Sequence, residues 1–526
     1  MTAPQAHEPS GLSEPARDGW TPAAVVVVLA TLPFLPALQG AFLNWDDAPL
    51  FLENPHYRGL GWAQIKWAFT TFHMGHYMPL SWLIWELDYM LSGTNPIGYH
   101  LTSLLLHAAA AIACYCLSLR LLRLALPSAT ERDLRLGAAA AAFFWAVHPL
   151  RVESVAWATE LRDVLSGLFY IAAVIAYLKA VAVDEGYRSG WYWGSFALFT
   201  GAVLSKSITV TLPAALLVLD VYPLRRLGPG RWLDRRVWLE KLPFVALTAV
   251  AGILAFIAIR DIGNQPSWQV MGLLPRLIFM AYALSSYVFN TLAPFALSPL
   301  YPLNVVVTWF HLGGALAGAV GAAVAWRRWP ALTAVSVFYF VTLLPVSGLF
   351  HNGPQAAADR YTYVSCLGWA LLFGALAAWR WAGARVVRTV LAAWLIALMA
   401  LTWQQTGVWH DSVTLWSRVI SLYPDSALAH FNLGGFYEGQ GRYAEALAEY
   451  QEVLRLSRNN AYWYITIGWA WEKTGVSPGA ERAFREALRL RPGLPDACVG
   501  LARVLERMGK RPEHSEGCPP PEQPKK

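Results

Sequence analysis

Thr21–Gly40 reads TPAAVVVVLATLPFLPALQG, twenty residues without a charge, which is the length a helix needs to cross a hydrocarbon core. No basic segment leads into it, so it is read as a retained anchor rather than a cleaved signal. Residues 1–20, polar and rich in proline, glycine and mixed charge, read as a disordered cytoplasmic tail.

Ten further apolar runs follow, near 97–121, 136–150, 163–183, 191–204, 206–224, 241–260, 305–326, 331–350, 362–380 and 387–404. The expectation is therefore an all-α, polytopic membrane domain over 21–404, with about 11 transmembrane helices. Composition agrees: of 526 residues 56% are hydrophobic and only 14% charged, with a mean hydropathy of +0.37. An ordinary soluble globule is excluded. Many of the 26 tryptophans lie near the ends of apolar runs, as Trp20, Trp191, Trp326 and Trp403 do, where indoles favour the interface.

The net charge of +7 does not point to nucleic acid, because the basic residues collect in short loops such as Arg120/Arg123/Arg132/Arg135, Arg225–Lys241, Arg327/Arg328 and Arg380/Arg385/Arg388. That pattern is topology, with these loops inside. The parity requires 273–303, with Arg276, Asn290 and several prolines, to form an interfacial or re-entrant hairpin rather than a full crossing. Loops 43–96, 148–162, 261–272 and 351–361, and everything after 404, then face outward. In the first of them, Trp62, Trp67, Trp82 and Trp85 read as amphipathic helices lying on the membrane surface. Five cysteines without CxxC or metal-type spacing predict neither a disulfide framework nor a zinc site.

From about 405 the character changes to soluble helix pairs. Leu433-Gly434, Tyr437, Ala446 and Tyr450 recur 34 residues later as Ile467-Gly468, Trp471, Ala480 and Phe484. This is the tetratricopeptide period, in which small residues let helices touch and an aromatic fills the gap between them. Repeats are expected at 427–460 and 461–494, within an α-solenoid domain at 405–510, preceded by a lone helix and followed by a partial one. Residues 511–526, rich in proline, glutamate and lysine, read as a disordered tail.

The residues that suggest chemistry lie in the outward loops. Asn44-Trp45-Asp46-Asp47 sets two adjacent acids at the bilayer's lip, where mutual repulsion and lost solvation both cost energy. One acid is a candidate general base, with the other orienting it or both holding a metal; the alternative is a helix cap or a loop acid paired with Arg58. A second group comprises His148-Pro149, Arg151, Glu153, Glu160, Arg162 and Asp163, for which snorkelling side chains and a local Glu160/Arg162/Asp163 pairing are the structural alternative. Lys206 and Asp359-Arg360-Tyr361 place outward cations against the positive-inside trend, so they want an anionic partner, a carboxylate or a lipid phosphate. Such a set suits attack of an acceptor hydroxyl on a sugar held by a lipid phosphate.

Asn44–Asp47, Asn95-Pro96-Ile97-Gly98-Tyr99-His100, His148-Pro149-Leu150-Arg151-Val152-Glu153-Ser154, Arg162-Asp163, Ser205-Lys206 and Asp359-Arg360-Tyr361-Thr362-Tyr363 occur in this order. Together, over roughly residues 21–510, they resemble the bacterial relatives of the transmembrane and tetratricopeptide-repeat-containing O-mannosyltransferases, glycosyltransferases of the GT-C superfamily. The resemblance implies a GT-C fold and a polyprenyl-phosphate-linked sugar as donor. It implies Asp46, Asp47 and Glu153 as catalytic candidates, and Arg162, Asp163, Lys206, Asp359, Arg360, Tyr361 and His100 as substrate-binding ones. It departs at Leu161, where the family's pattern implies a second basic residue.

The function expected is transfer of one sugar, mannose being the candidate, to a Ser/Thr hydroxyl of an exported protein or to a glycan, with inversion. A divalent cation, Mg or Mn, at Asp46 and Asp47 is the cofactor expectation. The repeats are expected to dock the acceptor outside a bacterial inner membrane, with the amino terminus cytoplasmic. Two alternatives stand beside this: a lipid-linked oligosaccharide transferase or polysaccharide-assembly enzyme, and a non-catalytic scaffold that recruits partners through the repeats.

Overall fold

Helix starts are visible as local chemistry. Asn95 accepts from the Ile97 amide ahead of Pro96–Ala125, with Pro96 preset for the first turn. Thr130 caps Glu131–Ala146, whose first turn carries Glu131 and Asp133. The computed structural model describes residues 20–184, 186–260, 272–303, 307–349, 355–379, 384–510 and 518. The expected tails (1–19, and 511–526 apart from Cys518), loop 261–271 and Arg380 lie outside these residues.

The chain is all-α; among the described residues the strands are Tyr301–Pro302 and Gln355–Ala357, paired antiparallel. It divides into two compact units, the first comprising Met1–Phe42 with Asp46–His410, the second Leu43–Trp45 with Asp411–Lys526.

In the first unit, Pro96–Ala125, Ala158–Ala182, Arg235–Arg260, Trp309–Arg328 and Arg385–Val408 are long and apolar enough to cross a membrane. Asp359–Ser365 and Leu367–Ala378, bent by 57°, make a sixth if taken as one broken span. Each of the eleven apolar runs is helical over most of its length, but Ala24–Gln39, Glu131–Ala146, Gly190–Ser205, Ser207–Val221 and Pro330–Val346 are shorter helices. Prolines 33, 36, 213 and 345 sit in the first and the last two of these, each removing a backbone donor from the ladder.

The hairpin expected at 273–303 is instead one helix, Leu273–Leu292, because the prolines at 275, 294 and 299 fall in its first turn or beyond its end. The surface helices expected in 43–96 form at Trp62–Thr70 and Pro79–Ser92. Trp82 and Trp85, however, are fully buried with Phe51, Tyr57 and Tyr99 rather than facing lipid.

The second unit stacks Ser412–Leu422, Ala427–Gly439, Tyr443–Leu456, Ala461–Lys473, Ser477–Leu490 and Pro495–Arg507. A Cβ on Gly434 would stand 2.7 Å from the Tyr450 ring, and one on Gly468 2.8 Å from the Phe484 ring. The repeated glycine is therefore the contact point for the repeated aromatic. Contrary to the reading of the cysteines, Cys498 and Cys518 form a disulfide that ties residue 518 to the last helix. Their spacing has no motif, and only folding brings the two together.

Candidate active site

Asp46 and Asp47 are adjacent in sequence but take opposite environments. Asp47 is fully buried, and its Oδ1 accepts from both the amide and the hydroxyl of Thr159, at 3.1 and 2.5 Å. It anchors the turn leading into Leu161–Ala182, and the structure does not present it as a base. Asp46 keeps 27% of its side chain exposed and lies 3.8 Å from Arg162 Nη2. Burial pushes its carboxyl above the ordinary aspartate value, against the pull of Arg162 and Arg360. A proton acceptor at this position is a stronger base than a free carboxylate.

The first half of the same motif belongs elsewhere. Asn44 accepts from the Trp416 indole at 2.8 Å and donates to the Asn432 carbonyl at 2.6 Å, within the second unit. It holds a chain segment and no part of the charged site.

Glu160 is the centre of that site. It accepts from Arg162 at 2.7 Å and Lys206 at 2.6 Å, and Arg360 Nε lies 3.4 Å away. Lys206 also reaches Asp163 at 2.7 Å, whose second oxygen takes the Ser154 hydroxyl at 3.3 Å. Three cations thus converge on one fully buried carboxylate, supplied by the helix start at 158–163, the turn after Gly190–Ser205, and the Asp359–Tyr361 turn. The sequence marks Glu160 only as a member of the second charged group, without a catalytic or binding role of its own. Its signal was present only as a local ion pair with Arg162.

Glu153, expected to be catalytic, is buried and bound to Arg360, accepting from its backbone N–H at 2.8 Å and from its guanidinium. Arg360 also lies over the Trp157 ring, 5.6 Å from its centroid. Glu153 therefore positions a cation. Asp359 accepts from the Tyr301 hydroxyl at 2.9 Å, whereas Tyr361 lines the cavity described below. His100 is buried against Gly40 and is not brought to the charged cluster. His148 accepts from the Leu150 amide and donates to the Thr291 carbonyl at 3.0 Å, a structural role in its block.

A cavity of about 820 Å³ opens beside the cluster. Arg162, Lys206, Arg276, His76 and Tyr361 line its polar end, and Leu247, Val250, Leu254, Phe256 and Ile259 of Leu242–Arg260 form an apolar wall. Burial and the neighbouring Arg162 and Lys206 hold His76 at about 3, so its imidazole is neutral and adds no further positive charge. The cavity joins a cationic end to an apolar side.

The paired acids do not fit a divalent cation. Asp47 is committed to Thr159, while Glu153, Glu160 and Asp163 are already matched by Arg360, Arg162 and Lys206. Among the described residues no three His, Cys, Asp or Glu side chains are grouped to hold a metal.

Human protein O-mannosyl-transferase TMTC4 is 24% identical over 485 residues, covering 81% of this chain and 65% of the relative. Human TMTC1 is 23% identical over 509 residues (84% and 56%), and Drosophila melanogaster Tmtc3 is 23% identical over 507 (81% and 53%). The chain is a distant relative of the protein O-mannosyl-transferases. It spans about two thirds or less of the length of these relatives. The tetratricopeptide repeat family model matches residues 427–460. No solved structure matches the chain. Its five long apolar helices, six with the bent pair, make it a multi-pass membrane protein.

Proposed function

We propose that this chain is a GT-C-type glycosyltransferase that moves one sugar, mannose by the names of its relatives, from a polyprenyl phosphate to a Ser/Thr hydroxyl of a protein. The observation that carries the reading is the cavity whose cationic end lies beside Asp46 and whose other side is an apolar membrane helix. A polyprenyl chain matches the Leu242–Arg260 wall, and a phosphate matches Arg162 and Lys206.

In the reaction, Asp46 takes the acceptor hydroxyl proton as that oxygen bonds to the sugar's anomeric carbon. The bond from that carbon to the phosphate oxygen breaks, and its electron pair leaves with the polyprenyl phosphate. Attack opposite the leaving group inverts the centre. Arg162 and Lys206 stabilise the charge that grows on the phosphate, and Glu160 holds both in place before it appears. Glu153 holds Arg360, which reaches the same Glu160.

The Cys498–Cys518 disulfide supports placing the repeats in an oxidising compartment, outside a bacterial inner membrane. The test is release of label from polyprenyl-phosphate-[³H]mannose by the purified protein with a Ser/Thr peptide as acceptor. Release by the wild type and its loss in Asp46→Asn are expected; equal release by both removes Asp46 as the base.

A further inference from the structure

The repeat unit carries its own groove, about 630 Å³, between the first helices of successive repeats. Its acids are sunk and its cations raised. Glu472 is 5% exposed and pairs with Arg507 at 3.2 Å and Arg503 at 3.8 Å, whose side chains remain 56% and 55% exposed. Glu438, 14% exposed, accepts from the Tyr450 hydroxyl at 2.8 Å and from Lys473 at 2.7 Å, while Lys473 stays 60% exposed. One carboxylate cannot satisfy the ten N–H donors of two guanidinium groups, so donors remain for a ligand. The buried acids orient the cations and leave a positive surface facing outward.

Within the groove, Arg503 lies over the Trp469 ring, 4.9 Å from its centroid. That guanidinium is held flat on the indole, its edge preorganised for a carboxylate.

We infer that this groove binds an acidic, extended polypeptide segment, its carboxylates on Arg503, Arg507 and Lys473. Naming that polypeptide as the acceptor rests on the transferase reading; the binding itself does not.

The test uses the full chain in detergent and two fluorescent twelve-residue peptides, each with a central threonine, one rich in Asp and Glu and the other with Asn and Gln in their place. The acidic peptide binds and the amide peptide does not, and binding weakens as salt rises. Arg503→Gln and Lys473→Gln each weaken it roughly tenfold at unchanged melting temperature. Arg507 stays opposite Glu472 in the first variant, and Glu438 keeps Tyr450 in the second, so neither strips a buried acid of its partner. Equal binding of the two peptides, unchanged binding in both variants, or tighter binding of alginate than of the acidic peptide overturns the inference. Acidic-peptide binding without sugar transfer from any polyprenyl-phosphate donor leaves the groove standing and removes the transferase reading.

Discussion

Lys206 donates to Glu160 across 2.6 Å although 46 residues separate them. With Arg162 and Arg360 directed at the same carboxylate, this contact makes Glu160 the common anchor of three cations, of which Arg162 and Lys206 line the cavity. Removing one member of a buried pair leaves the others without compensation. Glu160→Gln is predicted to destabilise the protein by roughly 3–5 kcal/mol and to raise the KM for the polyprenyl-phosphate donor, read from melting in detergent and from donor titration.

The two adjacent aspartates should separate cleanly. Asp46→Asn is predicted to lower turnover by roughly 10²–10⁴-fold with a normal melting temperature. Asp47→Ala loses both hydrogen bonds from Thr159 and should cost roughly 1–3 kcal/mol of stability. The opposite pattern in melts and rates would exchange their roles.

The pH dependence of turnover follows from the environment of Asp46. Its folded value is raised by burial, and a base works only when deprotonated. The acid limb of kcat is therefore expected above the ordinary aspartate range, with activity falling as pH drops through it. A limb at or below the value of a free carboxylate contradicts this.

Gly167 lies in Leu161–Ala182, one turn after Asp163, and a Cβ there would stand 2.5 Å from the Tyr363 ring. Gly167→Ala must push either that helix or the Asp359–Tyr363 segment, and both carry charged residues of the site. A loss of roughly 1–3 kcal/mol is expected, together with reduced kcat; Gly167→Ala with wild-type melting and rate would show that the contact yields freely.

His430 donates to Glu449 at 2.6 Å, and this bond raises its protonation range above the ordinary histidine value. The pair's stabilisation is full below the unfolded-state value near 6.5 and is lost as pH rises through the higher folded value. The repeats should melt at a lower temperature at pH 9 than at pH 6, and His430→Gln should flatten that difference.

Disulfide formation gives a check on compartment. Cys498 and Cys518 should react with a maleimide only after reduction, and Cys498→Ser should lower repeat stability by roughly 2–4 kcal/mol. Labelling of both thiols without reductant would place the repeats in a reducing compartment.

What the sequence determined by itself was local. Chains of twenty apolar residues become helices because a buried backbone must bond within itself, and Gly434 with Tyr450 recurs as Gly468 with Phe484 because one packing contact repeats every 34 residues. The charged blocks were legible as blocks for the same reason, since ions at a membrane edge are costly wherever they sit. The tertiary structure decided which ions meet. Arg360 reaches Glu153 across 207 residues, Asp47 is spent on Thr159 while Asp46 stays half open, Glu160 moves from a local partner of Arg162 to the hub of three cations, and Cys498 finds Cys518. Adjacent residues carry the same composition and hydropathy whichever way they point. Desolvation and pairing depend on distance in space, and that is fixed only when helices far apart in the chain pack together.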